Sequence, residues 1–92
     1  MAIISNAPPI DVKTAVRIAT SYFDQLLQHA YSDLAVEEVD RSDDGRYWQV
    51  TLGYALTDPS FPSYMTSKSR DFKVITIDAS SGEPTSMKVK KL

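Results

Sequence analysis

From Val12 onward, apolar residues recur at three- and four-residue intervals: Val12, Ala15, Val16, Ala19, Phe23, Leu26, Leu27 and Ala30. Lys13, Arg17, Asp24, Gln25 and Gln28 fall mostly on the opposite side. This spacing lines one face of an α-helix. Asp11 supplies a side-chain acceptor for the first-turn N–H groups. The pattern predicts a helix from about Val12 to about Ala30. It is entered from an arm, residues 1–10, whose Pro8-Pro9 pair keeps the backbone extended.

Beyond the helix the period changes to two. Leu34 to Arg41 reads as a strand with a fault, because Leu34 and Val36 share one parity and Val39 has the other. A bulge would restore the facing. Ser42-Asp43-Asp44-Gly45 is a turn signal. Trp48, Val50, Leu52, Tyr54 and Leu56 then alternate with Tyr47, Gln49, Thr51 and Gly53, which predicts a second strand. Thr57 to Ser69 carries Pro59, Pro62 and several serines and reads as a loop, although Phe61, Tyr64 and Met65 are too apolar for a passive linker. A third strand, about Asp71 to Asp78, places Ile75 and Ile77 on one face and Phe72, Val74 and Thr76 on the other. Ser80 to Pro84 is a turn. A fourth strand, about Thr85 to Lys91, alternates Met87 and Val89 with Lys88 and Lys90. Neither the helix nor the sheet can bury its apolar side alone. The expected fold is therefore α+β: an N-terminal helix packed on a four-stranded antiparallel meander, one domain over residues 11–92.

Three stretches carry a family likeness. Ala15-Val16-Arg17-Ile18-Ala19, Trp48-Gln49-Val50 and Ile75-Thr76-Ile77-Asp78-Ala79-Ser80-Ser81-Gly82-Glu83 together resemble PepSY-like domains. In those domains a helix with an A-x-x-I/A-A stretch precedes a W-x-V strand, and a later strand ends V-x-I-D-x-x-T-G-E. Small bacterial immunity-type proteins with a cystatin-like or nuclear-transport-factor-like sheet have a similar pattern. The likeness spans about Asp11 to Val89. It departs at Ser81, where that family often has Thr, and in the length of the 57–69 stretch. PepSY domains are usually secreted or membrane-attached, whereas Met1 to Ile10 has no basic start and no long apolar run. What the resemblance implies is the helix-on-sheet fold, through packing and turn residues.

Composition narrows the chemistry. With 42% hydrophobic residues the chain is too apolar for a disordered tail. No stretch approaches the ~18 apolar residues of a membrane span. Ten basic against twelve acidic residues leave a net charge of −2, which argues against a strongly basic nucleic-acid binder. The absence of cysteine removes disulfides and thiolate chemistry and suits a cytoplasmic location. His29, the sole histidine, has no ligand partner at helical spacing, so its place near the helix C-terminus reads as favourable dipole chemistry. Glu37, Glu38, Asp40, Asp43 and Asp44 do not match a calcium loop and read as a solvated strand and turn. Gly45, Gly53 and Gly82 lie too far apart for a phosphate loop, and no Gly-x-Ser-x-Gly elbow is present. No catalytic residue, cofactor or metal is expected. Lys88, Lys90 and Lys91, with Lys68, Arg70 and Lys73, read first as edge protection and second as a patch for an acidic partner.

The apolar residues themselves carry the functional expectation. Trp48, Val50, Leu52, Ile75, Ile77, Met87 and Val89 can form the sheet face under the helix, with Trp48 near Ala19 and Phe23. One helix covers one face only. Tyr47, Phe72 and Val74 point to the other, and Phe61, Tyr64 and Met65 lie in the loop. These six are the candidate partner-binding residues of a non-enzymatic protein-binding module. Its partner would be a second copy or another protein, with an immunity or inhibitor role as one concrete form. The alternative is a small-molecule or enzymatic pocket between helix and curled sheet. A deep polar-lined cavity would mark that alternative, and a flat apolar face would mark the first reading.

Overall fold

The computed structural model describes residues 9–28, 30–56 and 70–90. Helix α1 spans Val12–Leu27. Asp11 caps it, its Oδ1 accepting from the Thr14 N–H at 2.8 Å, and that bond holds the Asp11 carboxyl below its ordinary pKa. The helix stops three residues short of the expected Ala30. Gln28 adopts the left-handed conformation (φ 50°, ψ 45°), and its N–H donates to the Asp24 carbonyl. That geometry turns the chain into the sheet without the glycine that usually marks such an exit.

Four strands follow: β1 (Tyr31–Arg41), β2 (Tyr47–Leu56), β3 (Asp71–Asp78) and β4 (Pro84–Val89). They form one antiparallel sheet in the order β1-β2-β3-β4. The fold is therefore α+β, an N-terminal helix on a four-stranded antiparallel meander. Strand β1 begins three residues earlier than its alternation suggested. Its register shifts twice, between Ser32 and Ala35 and between Val36 and Glu38, and Asp33 sits at φ 54°. These shifts resolve the parity fault between Val36 and Val39. Strand β4 starts at Pro84 and ends at Val89, and the Lys90 N–H still donates to the Phe72 carbonyl at 3.0 Å. Of the expected arm, Pro9 and Ile10 are described, while Met1 to Pro8 lie outside the described residues, as do His29, Lys91 and the 57–69 stretch with Phe61, Tyr64 and Met65.

The core sits between α1 and one face of the sheet. Ala15, Ala19 and Phe23 meet Val50, Leu52, Tyr54, Ile75 and Ile77, all buried. The two alanines let the helix approach closely, and Phe23 fills the remaining volume. Its ring stands edge-on to Tyr31 at 4.9 Å and to Tyr54 at 4.8 Å between centroids. The Tyr31 hydroxyl donates to Asp24 Oδ1 at 2.6 Å, joining the strand start to the helix end.

Trp48 lies on the helix face, as alternation required, but at the margin of the core and half-buried. Its indole N–H donates to the Ile10 carbonyl at 3.1 Å, and the Arg41 guanidinium lies 5.5 Å from the ring centroid. The Ile10 N–H in turn donates to the Ala79 carbonyl at 2.8 Å. Trp48 thus anchors the end of the arm, and the two tyrosines take the place beside Phe23 that the alternation offered it.

Candidate binding face of the sheet

The face turned away from α1 is built from the opposite parity. Tyr47, Gln49, Thr51 and Gly53 of β2 pair with Asp78, Thr76, Val74 and Phe72 of β3. Glu38 and Asp40 flank them on β1, and Ser86 and Lys88 flank them on β4. Tyr47, Phe72 and Val74 are on this face, as predicted, and each is half-buried. Gln49, Thr51 and Thr76 stand among them, so the apolar surface is not continuous.

Among the described residues, two ion pairs cross the strands. Arg70, which precedes β3, reaches over β2 to β1. Its Nη1 donates to the Asp33 carbonyl at 2.9 Å and its Nη2 to Glu37 Oε1 at 3.2 Å. Gly53 makes room for this clamp: a Cβ there would lie 2.6 Å from Glu37 Oε1 and 2.8 Å from Arg70 Nη2. The second pair joins Lys90 to Glu38, Nζ to Oε2 at 2.5 Å, and the Lys90 bond holds the Glu38 carboxyl below its ordinary pKa. This bridge runs from one edge of the sheet to the other across the row that holds Thr51, which is only 5% exposed. Neither ion pair was legible in the sequence, since the partners are 33 and 52 residues apart.

Between these charges lies a groove of about 450 Å³, lined by Asp40, Gln49, Thr51, Val74, Thr76, Lys88, Val89 and Lys90. This groove lies on the face turned away from α1, not between helix and sheet where the alternative reading would place a pocket. A more apolar groove of about 320 Å³ runs along the flank of α1, lined by Arg17, Ile18, Ser21, Tyr22, Gln25 and Pro84.

The sheet edges are poor templates for another strand. β4 is 6 residues long, begins with Pro84 and carries Lys88, and β1 combines its two register shifts with Asp33, Glu37, Glu38 and Asp40. Short, charged and bulged edges discourage strand addition. The basic residues divide by parity: Lys73 pairs with Leu52 and Val89 on the helix side, while Lys88 lies on the outer face.

At the far end of the same face, Asp78 organises the β3–β4 turn. Its Oδ1 accepts from Ser80 Oγ at 2.7 Å, the Ser80 N–H at 2.8 Å and the Ser81 N–H at 3.0 Å. These donors, the Ser80 hydroxyl foremost, lower its pKa to about 2. Asp44 is lowered likewise, first by the Ser42 hydroxyl. A depressed carboxylate contributes stability that is present above its unfolded pKa and is lost as pH falls through the folded value. The melting temperature should therefore decline from about pH 4 toward pH 2. Asp78→Asn should flatten the lowest part of that curve, as read by circular dichroism melts. An unchanged curve would show that the turn does not depend on the charge.

Among the described residues, no three His, Cys, Asp or Glu side chains are grouped as a metal site, and no helix is long and apolar enough to cross a membrane. The chain matches no family model, no curated protein and no solved structure.

Proposed function

We propose that this chain is a non-enzymatic protein-binding module whose docking surface is the outer face of the sheet, with residues of the 57–69 stretch as further contacts. The observation that carries this reading is the half-exposed trio of Tyr47, Phe72 and Val74 on a face that no described element covers. Aromatic residues are enriched at interfaces, and the guarded edges leave the face as the open surface. The PepSY-like and cystatin-like resemblance bears on the fold and not on the role, and the lack of cysteine supports a cytoplasmic setting.

Phe72→Asp tests this. The variant should keep its circular dichroism spectrum and lose association, read by light scattering for self-association and by capture from extracts of the native host for a different partner. Unchanged association in both assays would overturn the reading, and outright unfolding would place Phe72 in the core.

A second reading, a small-molecule site, is favoured by the polar groove of about 450 Å³, which lies within the size range of ligand pockets. Here the ligand would sit on the outer face. Lys88→Ala and Thr76→Val would then abolish ligand-induced thermal stabilisation while leaving protein association intact.

A further inference from the structure

We propose that the groove on the outer face takes a small, uncharged, polyhydroxylated molecule, of which a single sugar ring is the type. This rests on the second reading, in which the groove is a ligand site, and adds the chemical class of the occupant. The observation that carries it is Thr51. This residue is only 5% exposed, and its hydroxyl makes no hydrogen bond to any described residue. Among the described residues, no fully buried side-chain oxygen or nitrogen lacks a partner. The little surface that Thr51 keeps therefore includes its oxygen, and that surface opens into the groove that Thr51 lines. A hydroxyl so enclosed can donate one hydrogen bond and accept others, and a group withdrawn from water gains most from a partner that supplies them.

The groups around Thr51 set the class. Two neighbouring cross-strand rows line the groove, Asp40, Gln49 and Thr76 in one and Thr51, Val74 and Lys88 in the next. Their charges cancel. Lys90, which lines the groove as well, is bridged to Glu38, and Asp40 on β1 is offset by Lys88 on β4. An anion drawn to Lys88 would meet Asp40 in the same groove, and a cation drawn to Asp40 would meet Lys88. Like charges brought together are costly, and a neutral ligand avoids both encounters. What remains is hydrogen bonding in both senses. The Asp40 carboxylate only accepts and the Lys88 ammonium only donates, while Thr51, Thr76 and Gln49 do both. Hydroxyl groups donate and accept, so a ligand bearing several of them can satisfy all five, whereas a ketone or an ether leaves Asp40 without a donor. The bonds to Asp40 and Lys88 are charge-assisted and are the stronger ones. Val74, beside Thr51 and Thr76, offers an apolar contact for a ring's C–H groups.

Titration of the full, isotope-labelled chain, followed by amide chemical shifts, provides the test. The probes are D-glucose, D-galactose, D-mannose and myo-inositol, with sodium acetate and sodium phosphate as anionic controls. At least one of the four neutral probes should shift the amides of Gln49, Thr51 and Thr76 saturably, with a Kd on the order of 1 mM. Raising the salt to ~0.5 M should leave that Kd unchanged, because no net charge is transferred. Thr51→Val, which removes the hydroxyl and keeps the branched shape, should raise the Kd about tenfold, and Thr51→Ser should stay within about threefold of the wild type. Asp40→Asn changes an exposed side chain and keeps the test open if a Thr51 variant fails to fold. It should weaken the neutral probe by about threefold or more. Acetate or phosphate shifting these amides while none of the four does would overturn the class and leave the groove a ligand site, and Asp40→Asn would then tighten binding. No shift with either kind of probe would overturn both the class and the ligand-site reading beneath it. A neutral probe that binds Thr51→Val and Asp40→Asn as well as the wild type is held elsewhere, which also overturns the proposal.

Discussion

Phe23→Ala is expected to lower the free energy of unfolding by about 3–5 kcal/mol, the usual loss for a buried aromatic ring. Phe23 is fully buried, and the other buried helix residues are Ala15 and Ala19. It is thus the one large helical side chain at the centre of the core. Truncation would leave a cavity flanked by Tyr31 and Tyr54, each ring now within 5 Å of Phe23. Neither tyrosine can collapse into that space freely, because the Tyr31 hydroxyl is held by Asp24 and the Tyr54 backbone is fixed by its pairing with Asp71 at the end of the β2–β3 ladder. Small domains are stable by only about 5–15 kcal/mol, so the variant should be close to unfolding at 37 °C. Urea titration should show a lower midpoint at unchanged slope. Phe23→Leu, which keeps most of the volume, should cost about 1.5 kcal/mol or less. A loss under about 1 kcal/mol for the alanine variant would mean that the core is not organised around this ring.

The helix, β2 and β3 were legible because each shows one uninterrupted period. Val50 and Leu52 against Ile75 and Ile77 follow from parity alone, and parity also sends Phe72 and Val74 to the outer face. Legibility failed where one residue breaks a period. Gln28 ends the helix in a left-handed conformation that local sequence does not announce, since neither glycine nor asparagine stands there. Asp33 at φ 54° hides the start of β1, so the alternation is legible only from Leu34 although Tyr31 pairs with Leu56. The outer face shows the same limit at longer range. Its residue types could be listed from alternation, but its groove depends on the twist of the sheet. Its ion pairs depend on side chains that meet only after three strands (Arg70–Glu37) or all four (Lys90–Glu38) have aligned, so Arg70 and Lys90 read as edge charges and Glu37 and Glu38 as solvated acids.

Gly82→Val is expected to cost about 2–5 kcal/mol, through two effects at one position. Gly82 sits at φ +77°, where an L side chain is disfavoured by roughly 1–2 kcal/mol. A β-branched side chain must also find space against the helix. A Cβ at this position would stand 3.3 Å from Ile18 Cδ1 and 3.8 Å from Ile10 Cγ2, and overpacking of that kind costs typically 1–3 kcal/mol. The backbone has little freedom to yield. The Gly82 N–H donates to the Asp78 carbonyl, and the Asp78 N–H donates to the Glu83 carbonyl, both at 2.8 Å. On the side-chain side, Asp78 Oδ1 gathers Ser80 and Ser81. Gly82→Ala separates the effects, since it meets the conformational penalty but adds only the Cβ. Gly53→Ala offers the contrasting case. Its Cβ would meet chiefly the ends of the Glu37 and Arg70 side chains, which can swing outward, so it should perturb the outer face more than the fold. Urea midpoints for the three variants should therefore rank Gly82→Val lowest, then Gly82→Ala, then Gly53→Ala. If Gly82→Val unfolds at the wild-type midpoint, the β3–β4 turn relaxes without cost and does not couple the sheet to α1 through Ile18.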